Sequence, residues 1–285
     1  SECMLTETRA PSRSSRPTWS LLGPAFVAAI AYVDPGNVAA NISAGAKFGF
    51  LLVWVILLAN VMAGLVQYLS AKLGLTTGRS LPELVAENCR TPTRLAFWVQ
   101  AEMVAVATDL AEVVGGAIAL QLLFGLPMLV GGVITGVVSM CLLSVQNRGS
   151  QRAFERIIAG LLMIITIGFL TSLIVDPPAP GAVLGGVVPH FAGPESLLLA
   201  TAILGATVMP HVVYLHSGLA RDRHGKPETG APLRHMLRVT RFDVGLAMVV
   251  AGAVNLSMLL VAATHLQGVE GTDTIAGAHA AVGHA

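Results

Sequence analysis

The residues best equipped for chemistry lie where polar groups are expensive. Between two apolar runs the chain reads Ala31-Tyr32-Val33-Asp34-Pro35-Gly36-Asn37-Val38, placing an acid, a helix breaker, a flexible residue and an amide in succession. A charge at the centre of a membrane helix costs roughly 2.5 to 3.5 kcal/mol on insertion scales, so Asp34 needs a purpose there. Pro35 brings no N–H and Gly36 loosens the backbone, which frees carbonyls near Ala31 from helical bonding beside the Asp34 carboxylate. Free carbonyls, a carboxylate and an amide oxygen together make a site for a cation. The same four residues, Asp-Pro-Gly-Asn, are also ordinary turn chemistry in a soluble protein. Length argues for a broken span instead, because Trp19 to Val33 makes only about 22 Å of helix and Val38 to Ala44 less, so neither half crosses a bilayer alone.

A second string, Ala206-Thr207-Val208-Met209-Pro210-His211, again sets a proline inside a hydrophobic run. Met209 alone is ordinary core filling, and a lone proline kink is common in membrane helices. Two interrupted helices at corresponding positions of two halves point to a substrate site. A third apolar stretch holds Glu102, Asp109 and Glu112 with no basic residue inside it. Seven residues return nearly to the same helical face and three more turn it by about 60°, so the trio lines one flank. Chains of acids and histidines in membranes serve as proton relays, and Asp34, Glu102, Asp109, Glu112 and His211 form a candidate route. Pairing of the acids with Arg or Lys of another helix is the competing reading, as is a hydrogen-bonded packing role for His211.

These residues need helices in a bilayer to position them. Of 285 residues 54% are hydrophobic and only 12% charged, too little polar surface for a soluble globule. A net charge of +1 without a clustered basic excess gives no reason to expect nucleic acid as a partner. A helix needs about 20 apolar residues to cross about 30 Å of hydrocarbon, and seven such runs occur. They extend from Trp19 to Ala44, Gly49 to Leu73, Leu95 to Phe124, Met128 to Val145, Ile157 to Val175, Ser196 to Leu219 and Phe242 to His265. Residues 1–18 form a polar tail, of which Ser1-Glu2-Cys3 ahead of Met4 reads as a remnant, and residues 266–285 form an external tail. With this span count, all but Lys47 of the 17 Lys and Arg residues fall on one side, which places the N-terminus in the cytoplasm. The first span is too long for the core of a cleavable signal peptide, so a multi-pass protein of the cell (inner) membrane is expected. Cys89 and Cys141 show no pairing or metal spacing and read as free thiols. Small-residue pairs at Gly115 and Ala119, and at Gly132 and Gly136, suggest close helix packing.

Asp34-Pro35-Gly36-Asn37 in the first span and Met209-Pro210-His211 in the sixth resemble the signature motifs of the Nramp family of divalent-metal transporters. The resemblance extends to the span order and the acidic third span, and it covers essentially the whole chain. It implies an all-α membrane protein of the LeuT-type inverted-repeat fold. Spans one to five would form the first repeat and spans six and seven would start the second, with the remaining helices of the same protein as partners. It also implies proton-coupled import of Mn²⁺, Fe²⁺, Co²⁺, Cd²⁺ and similar ions, with no prosthetic group. Carried over residue by residue, the ligands are the Asp34 carboxylate, the Asn37 side-chain oxygen, the Met209 sulfur and the backbone carbonyls of Ala31 and Ala206. The donor types agree independently: oxygens hold any hard divalent ion, whereas a thioether favours softer transition ions over Ca²⁺ and Mg²⁺.

Other functions remain open on the residues alone. A sodium-coupled symporter of the same fold would bind a substrate carboxylate that Asp34 repels. A cation channel needs rings of acids around a pore, and a magnesium transporter has little use for Met209. For an intramembrane enzyme there is no His-Glu-x-x-His or Gly-x-Ser-x-Gly string.

Overall fold

The computed structural model describes residues 24–147, 151–224, 230–268 and 277. Among the described residues there is helix, turn and loop but no strand. The polar tail 1–18, the start of the first span and most of the external tail lie outside them.

Proline sets most of the helix starts, because its missing N–H and fixed φ suit the first turn. It opens α1 (Pro24–Ile30), α2 (Pro35–Phe48), α8 (Pro180–Gly185), α9 (Pro194–Thr207) and α10 (Pro210–His224). It stands second in α4 (Leu81–Asn88), α5 (Thr91–Phe124) and α11 (Ala231–His265). The set is completed by α3 (Val53–Thr77), α6 (Met128–Asn147) and α7 (Gln151–Val175), with a 3₁₀ turn, Ala31–Val33, between α1 and α2. Glycines in the left-handed region, Gly78 after α3 and Gly125 after α5, terminate two of the long helices.

Both expected interruptions are real ends of helices. The first span is divided into α1, the 3₁₀ turn and α2, and the sixth into α9 and α10. Five segments are long and apolar enough to cross a membrane: α3, α5, residues 156–175 of α7, α9 and α10 taken end to end, and α11. The count is below the seven runs expected because the halves of the first span are short. At 1.5 Å per residue, α1 and α2 reach only about 10 and 21 Å. The apolar part of α6, Met128–Ser144, also falls just short. Three features went unanticipated: α4 in the polar stretch after α3, α8 between the fifth and sixth runs, and the start of α11 at Ala231, well ahead of Phe242.

The breaks sit in the densest part of the molecule. Helices α2 and α11 approach so closely at Gly45 that a Cβ there would lie 2.4 Å from the Leu259 carbonyl. Helices α3 and α10 do the same at Gly74, where it would lie 2.3 Å from the Ser217 carbonyl. Ala25, Ala28, Ala29, Tyr32, Ala63, Met209, Val212 and Val244 close into one apolar cluster around the first break. By contrast, α5, α6 and α7 form an outer limb: only 6% of the apolar window of α5 is buried, against 56% of that of α11. The small-residue pattern is used unevenly there, since Gly115 packs on Pro35 while Gly136 faces open space.

Candidate functional site

Asp34 is the N-cap of α2, and its extended backbone separates the 3₁₀ turn from the new helix. The carboxylate accepts from the Asn37 N–H at 2.9 Å and the Gly36 N–H at 3.3 Å, so the charge sits on the positive end of α2. This corrects the expectation that Gly36 loosens the chain. Pro35 is the first residue of α2 and Gly36 is itself helical, so the span stops and restarts rather than unwinding at glycine. Glycine at position 36 leaves room for the carboxylate, because a Cβ there would lie 2.9 Å from Asp34 Oδ2 and displace it.

Asn37 ties the two breaks together. It is fully buried, and its Nδ2 donates to Asp34 Oδ1 at 2.6 Å and to the Ala206 carbonyl at 2.9 Å. Carboxylate and carbonyl therefore converge on one point from two different interrupted helices. The Asn37 oxygen lies 3.2 Å from the Thr207 hydroxyl, which has one proton and donates it at 2.7 Å to the Ile203 carbonyl. The Asn37 oxygen therefore has the weaker claim on that hydroxyl.

Met209 lies between α9 and α10, 5% exposed, in the apolar cluster around Tyr32, and Ala31 packs against the same cluster. Ala31 opens the 3₁₀ turn, and the residue four places on is Pro35, which has no N–H to offer its carbonyl. Pro210 starts α10 and His211 follows it, with His211 Nδ1 buried and without a hydrogen-bond partner. The hydrogen-bonded packing role is therefore not served at that nitrogen.

The α5 acids divide. Gly115 of α5 rests on Pro35, and Glu112, one turn earlier on the same face, feels the charges of both Asp109 and Asp34. His211 feels the same two charges. Asp34 and Asp109 thus each lie within charge range of Glu112 and of His211. Glu102 does not join them: about 10 Å further along α5 it lines a groove with Pro82, Val85, Arg94, Trp98 and Tyr214. No group of three or more His, Cys, Asp or Glu able to hold a metal ion occurs among the described residues. An ion at the breaks would depend on one carboxylate and neutral donors.

Several polar residues around the site had been given no role. Tyr32 Oη accepts from Gln67 Nε2 at 2.5 Å, and Gln67 Oε1 meets His216 Nδ1 at 2.6 Å, all three buried. Asp243 of α11 accepts from the Ala25 N–H at 3.2 Å, at the start of α1. Asn41 and Asn255 bond to each other at 3.0 Å. Their common signal is a polar side chain inside an apolar run.

Outside the spans, Ser80 and Glu83 form a capping box on α4. The Ser80 N–H and then the Arg221 guanidinium hold the Glu83 carboxyl below the usual glutamate range. Arg221 Nη1 donates to Glu83 Oε2 at 2.6 Å and the Leu81 N–H to Ser217 Oγ at 2.9 Å, which fastens α4 to α10.

The sequence profile of the Nramp, or natural resistance-associated macrophage protein-like, family matches residues 25–284. A protein named divalent metal cation transporter MntH from Mycobacterium tuberculosis is 65% identical over 269 residues, covering 94% of this chain and 63% of the relative. The protein of that name from Bacillus subtilis is 50% identical over 253 residues, covering 88% of this chain and 59% of the relative. The crystal structure of the Eremococcus coleocola manganese transporter, in complex with an aromatic bis-isothiourea substituted compound, superposes with a TM-score of 0.79 at 29% identity. That match covers 92% of this chain and 56% of the transporter. The chain thus spans less than two thirds of the length of these relatives. A family profile that matches nearly every described residue, on a fold whose two helix breaks meet at Asn37, shows that this chain belongs to the Nramp family.

Proposed function

We propose that this chain belongs to a secondary active transporter that imports divalent transition metal ions, Mn²⁺ and Fe²⁺ among them, coupled to proton movement. One observation carries the reading: the Asn37 amide bridges the Asp34 carboxylate of the first break and the Ala206 carbonyl of the second. An ion placed there replaces the amide protons with a full charge, and the Asn37 oxygen turns toward it. Met209 and the Ala31 carbonyl complete the set. A single carboxylate with neutral donors gives modest affinity, which suits an ion that must leave again, and the sulfur favours transition ions over Ca²⁺ and Mg²⁺.

Proton coupling follows from the same carboxylate. Bound metal favours the ionised form of Asp34, so a proton held there leaves as the ion arrives. Asp109, Glu112 and His211, within its electrostatic reach, are the first acceptors, and Glu102 lies further along α5. In this reading the seven runs span a cell membrane with the N-terminus inside, the LeuT-type repeats supply the two breaks, and further helices of the same protein close the site.

The test is Mn²⁺ uptake into liposomes that hold the full-length protein and an internal pH dye. Saturable uptake that acidifies the lumen is expected, with Asp109→Asn losing acidification more than Mn²⁺ uptake. Uptake that never saturates would point to a channel, and equal proton flux in Asp109→Asn would remove the relay role.

A further inference from the structure

We infer that Asn255 of α11 is a positioning residue that clamps the 3₁₀ turn of the first break, and with it the Ala31 carbonyl that the transport reading gives to the ion. The inference rests on the transport reading above and extends it to a residue outside the two motifs.

An interrupted helix takes carbonyls out of the α-helical bonding pattern. In an unbroken helix the carbonyl of residue i accepts from the N–H of residue i+4. For Ala31 that partner is Pro35, which has no N–H. For Tyr32 it is Gly36, whose N–H donates instead to Asp34 Oδ2 at 3.3 Å. For Val33 it is Asn37, whose N–H donates to Asp34 Oδ1 at 2.9 Å. By capping α2, Asp34 therefore withdraws two donors from the turn behind it. Unpaired carbonyls inside a protein are costly, so each needs a partner or a ligand.

The partner of the Tyr32 carbonyl is the Asn255 side chain, whose Nδ2 donates to it at 2.9 Å. Asn255 is 4% exposed, and its oxygen accepts from Asn41 Nδ2 at 3.0 Å. The sense of this relay is fixed. A carbonyl can only accept, so Asn255 must present its NH₂ to Tyr32 and its oxygen to Asn41, which in turn must present its own NH₂. The chain ends on Asn41 Oδ1, buried and without a partner. The fold tolerates an unpaired oxygen one turn beyond Asn37 in order to hold the Tyr32 carbonyl.

Holding one carbonyl of a 3₁₀ turn sets the next. The Ala31 carbonyl belongs to the peptide unit that joins Ala31 to Tyr32, so holding the Tyr32 carbonyl on α11 restricts its direction as well. The Val33 carbonyl has lost its helical donor as well, and the Ala31 carbonyl keeps the i+3 donor of the 3₁₀ turn, the Asp34 N–H, so Asn255 fixes the direction of the turn rather than choosing the ligand. Without the Asn255 amide the turn loses this clamp, and the ion meets a ligand whose direction is not set in advance.

The experiment uses full-length protein in liposomes and reads KM and maximal rate for Mn²⁺ uptake, normalised to folded protein by size-exclusion chromatography. Asn255→Leu keeps the volume and removes the donor. It should raise KM about tenfold, the equivalent of one lost hydrogen bond, while the maximal rate changes little. Asn255→Gln, which keeps an amide, should recover part of the affinity. If Asn255→Leu does not fold, Asn41→Ala serves in its place, with a smaller rise in KM expected because it only frees the Asn255 oxygen. An unchanged KM in the folded variant, or a fall in maximal rate alone, would overturn the inference and leave Asn255 a packing residue. Failure of the wild-type protein to take up Mn²⁺ saturably would instead strike the transport reading on which it rests.

Discussion

Both breaks restart a helix on proline, Pro35 in α2 and Pro210 in α10, yet the residues ahead of the prolines differ in kind. Asp34 places a carboxylate on the first amides of α2 and is held by them. Met209 places a thioether at the same point of α10, a weak acceptor that instead packs among Ala25, Tyr32 and Val212. One break is finished by electrostatics and the other by packing. The first break supplies charge and the second supplies softness, and Asn37 joins them through the Ala206 carbonyl. In the proposed reading Asp34 is both cap and ligand, so a bound ion competes with the α2 amides for the carboxylate. Binding is thereby linked to the order of the α2 N-terminus.

Separating cap from charge breaks the comparison most severely. Asp34→Asn keeps a good N-cap and should leave thermal stability nearly unchanged, while Mn²⁺ uptake falls by about 100-fold or more. Asp34→Ala should lose the same transport and also about 1 kcal/mol of stability, visible as a lower midpoint in a thermal scan. Equal stability in the two variants would show that the cap contributes nothing.

At the second break the volume-conserving Met209→Leu separates packing from ligation. It should cost less than about 1.5 kcal/mol of stability, let Ca²⁺ compete for uptake, and weaken Cd²⁺ more than Mn²⁺. Met209→Ala adds a cavity and about 2 to 5 kcal/mol of destabilisation, so a selectivity change seen only with alanine would indicate packing. Gly36→Ala tests the space behind the carboxylate. Alanine is the better helix former by about 1 kcal/mol, but its Cβ displaces Asp34 Oδ2, so higher stability with a few-fold higher KM is expected.

The smallest effect lies outside the spans. Glu83 has a depressed pKa, so its contribution is complete at neutral pH and is lost as pH falls through its folded value, below the ordinary glutamate range. Thermal scans between about pH 7 and about pH 2.5 should show a slightly steeper loss for the wild type than for Glu83→Gln, with the difference opening below the ordinary glutamate range. Parallel curves would mean that the Glu83–Arg221 pair does not hold α4 on α10.

Much of the site was legible because hydrocarbon makes polar residues conspicuous. Asp34, Asn37 and Met209 stood beside prolines in apolar runs, and the structure brings Asp34, Asn37 and Ala206 within hydrogen-bond distance. The mechanism of the break was not legible: Gly36 reads as flexibility in one dimension, and only the position of the carboxylate shows that it makes room. Asn41, Gln67, Asp243 and Asn255 carried the same polar-in-apolar signal, but their roles depend on partners as far as 223 residues away in sequence, a pairing that periodicity does not encode. The flank shared by the α5 acids was legible as a helical stripe. The parting of Glu102 from Asp109 and Glu112 depends on α4 and Tyr214, whose placement the stripe does not contain.

The most direct test of an ion held between the two breaks is X-ray absorption at the Cd K-edge on the full-length protein loaded with Cd²⁺. One sulfur among oxygen neighbours is expected in the wild type, and an all-oxygen shell in Met209→Leu. A wild-type shell without sulfur, or a sulfur that persists after Met209→Leu, would contradict a site shared between Asp34 and Met209.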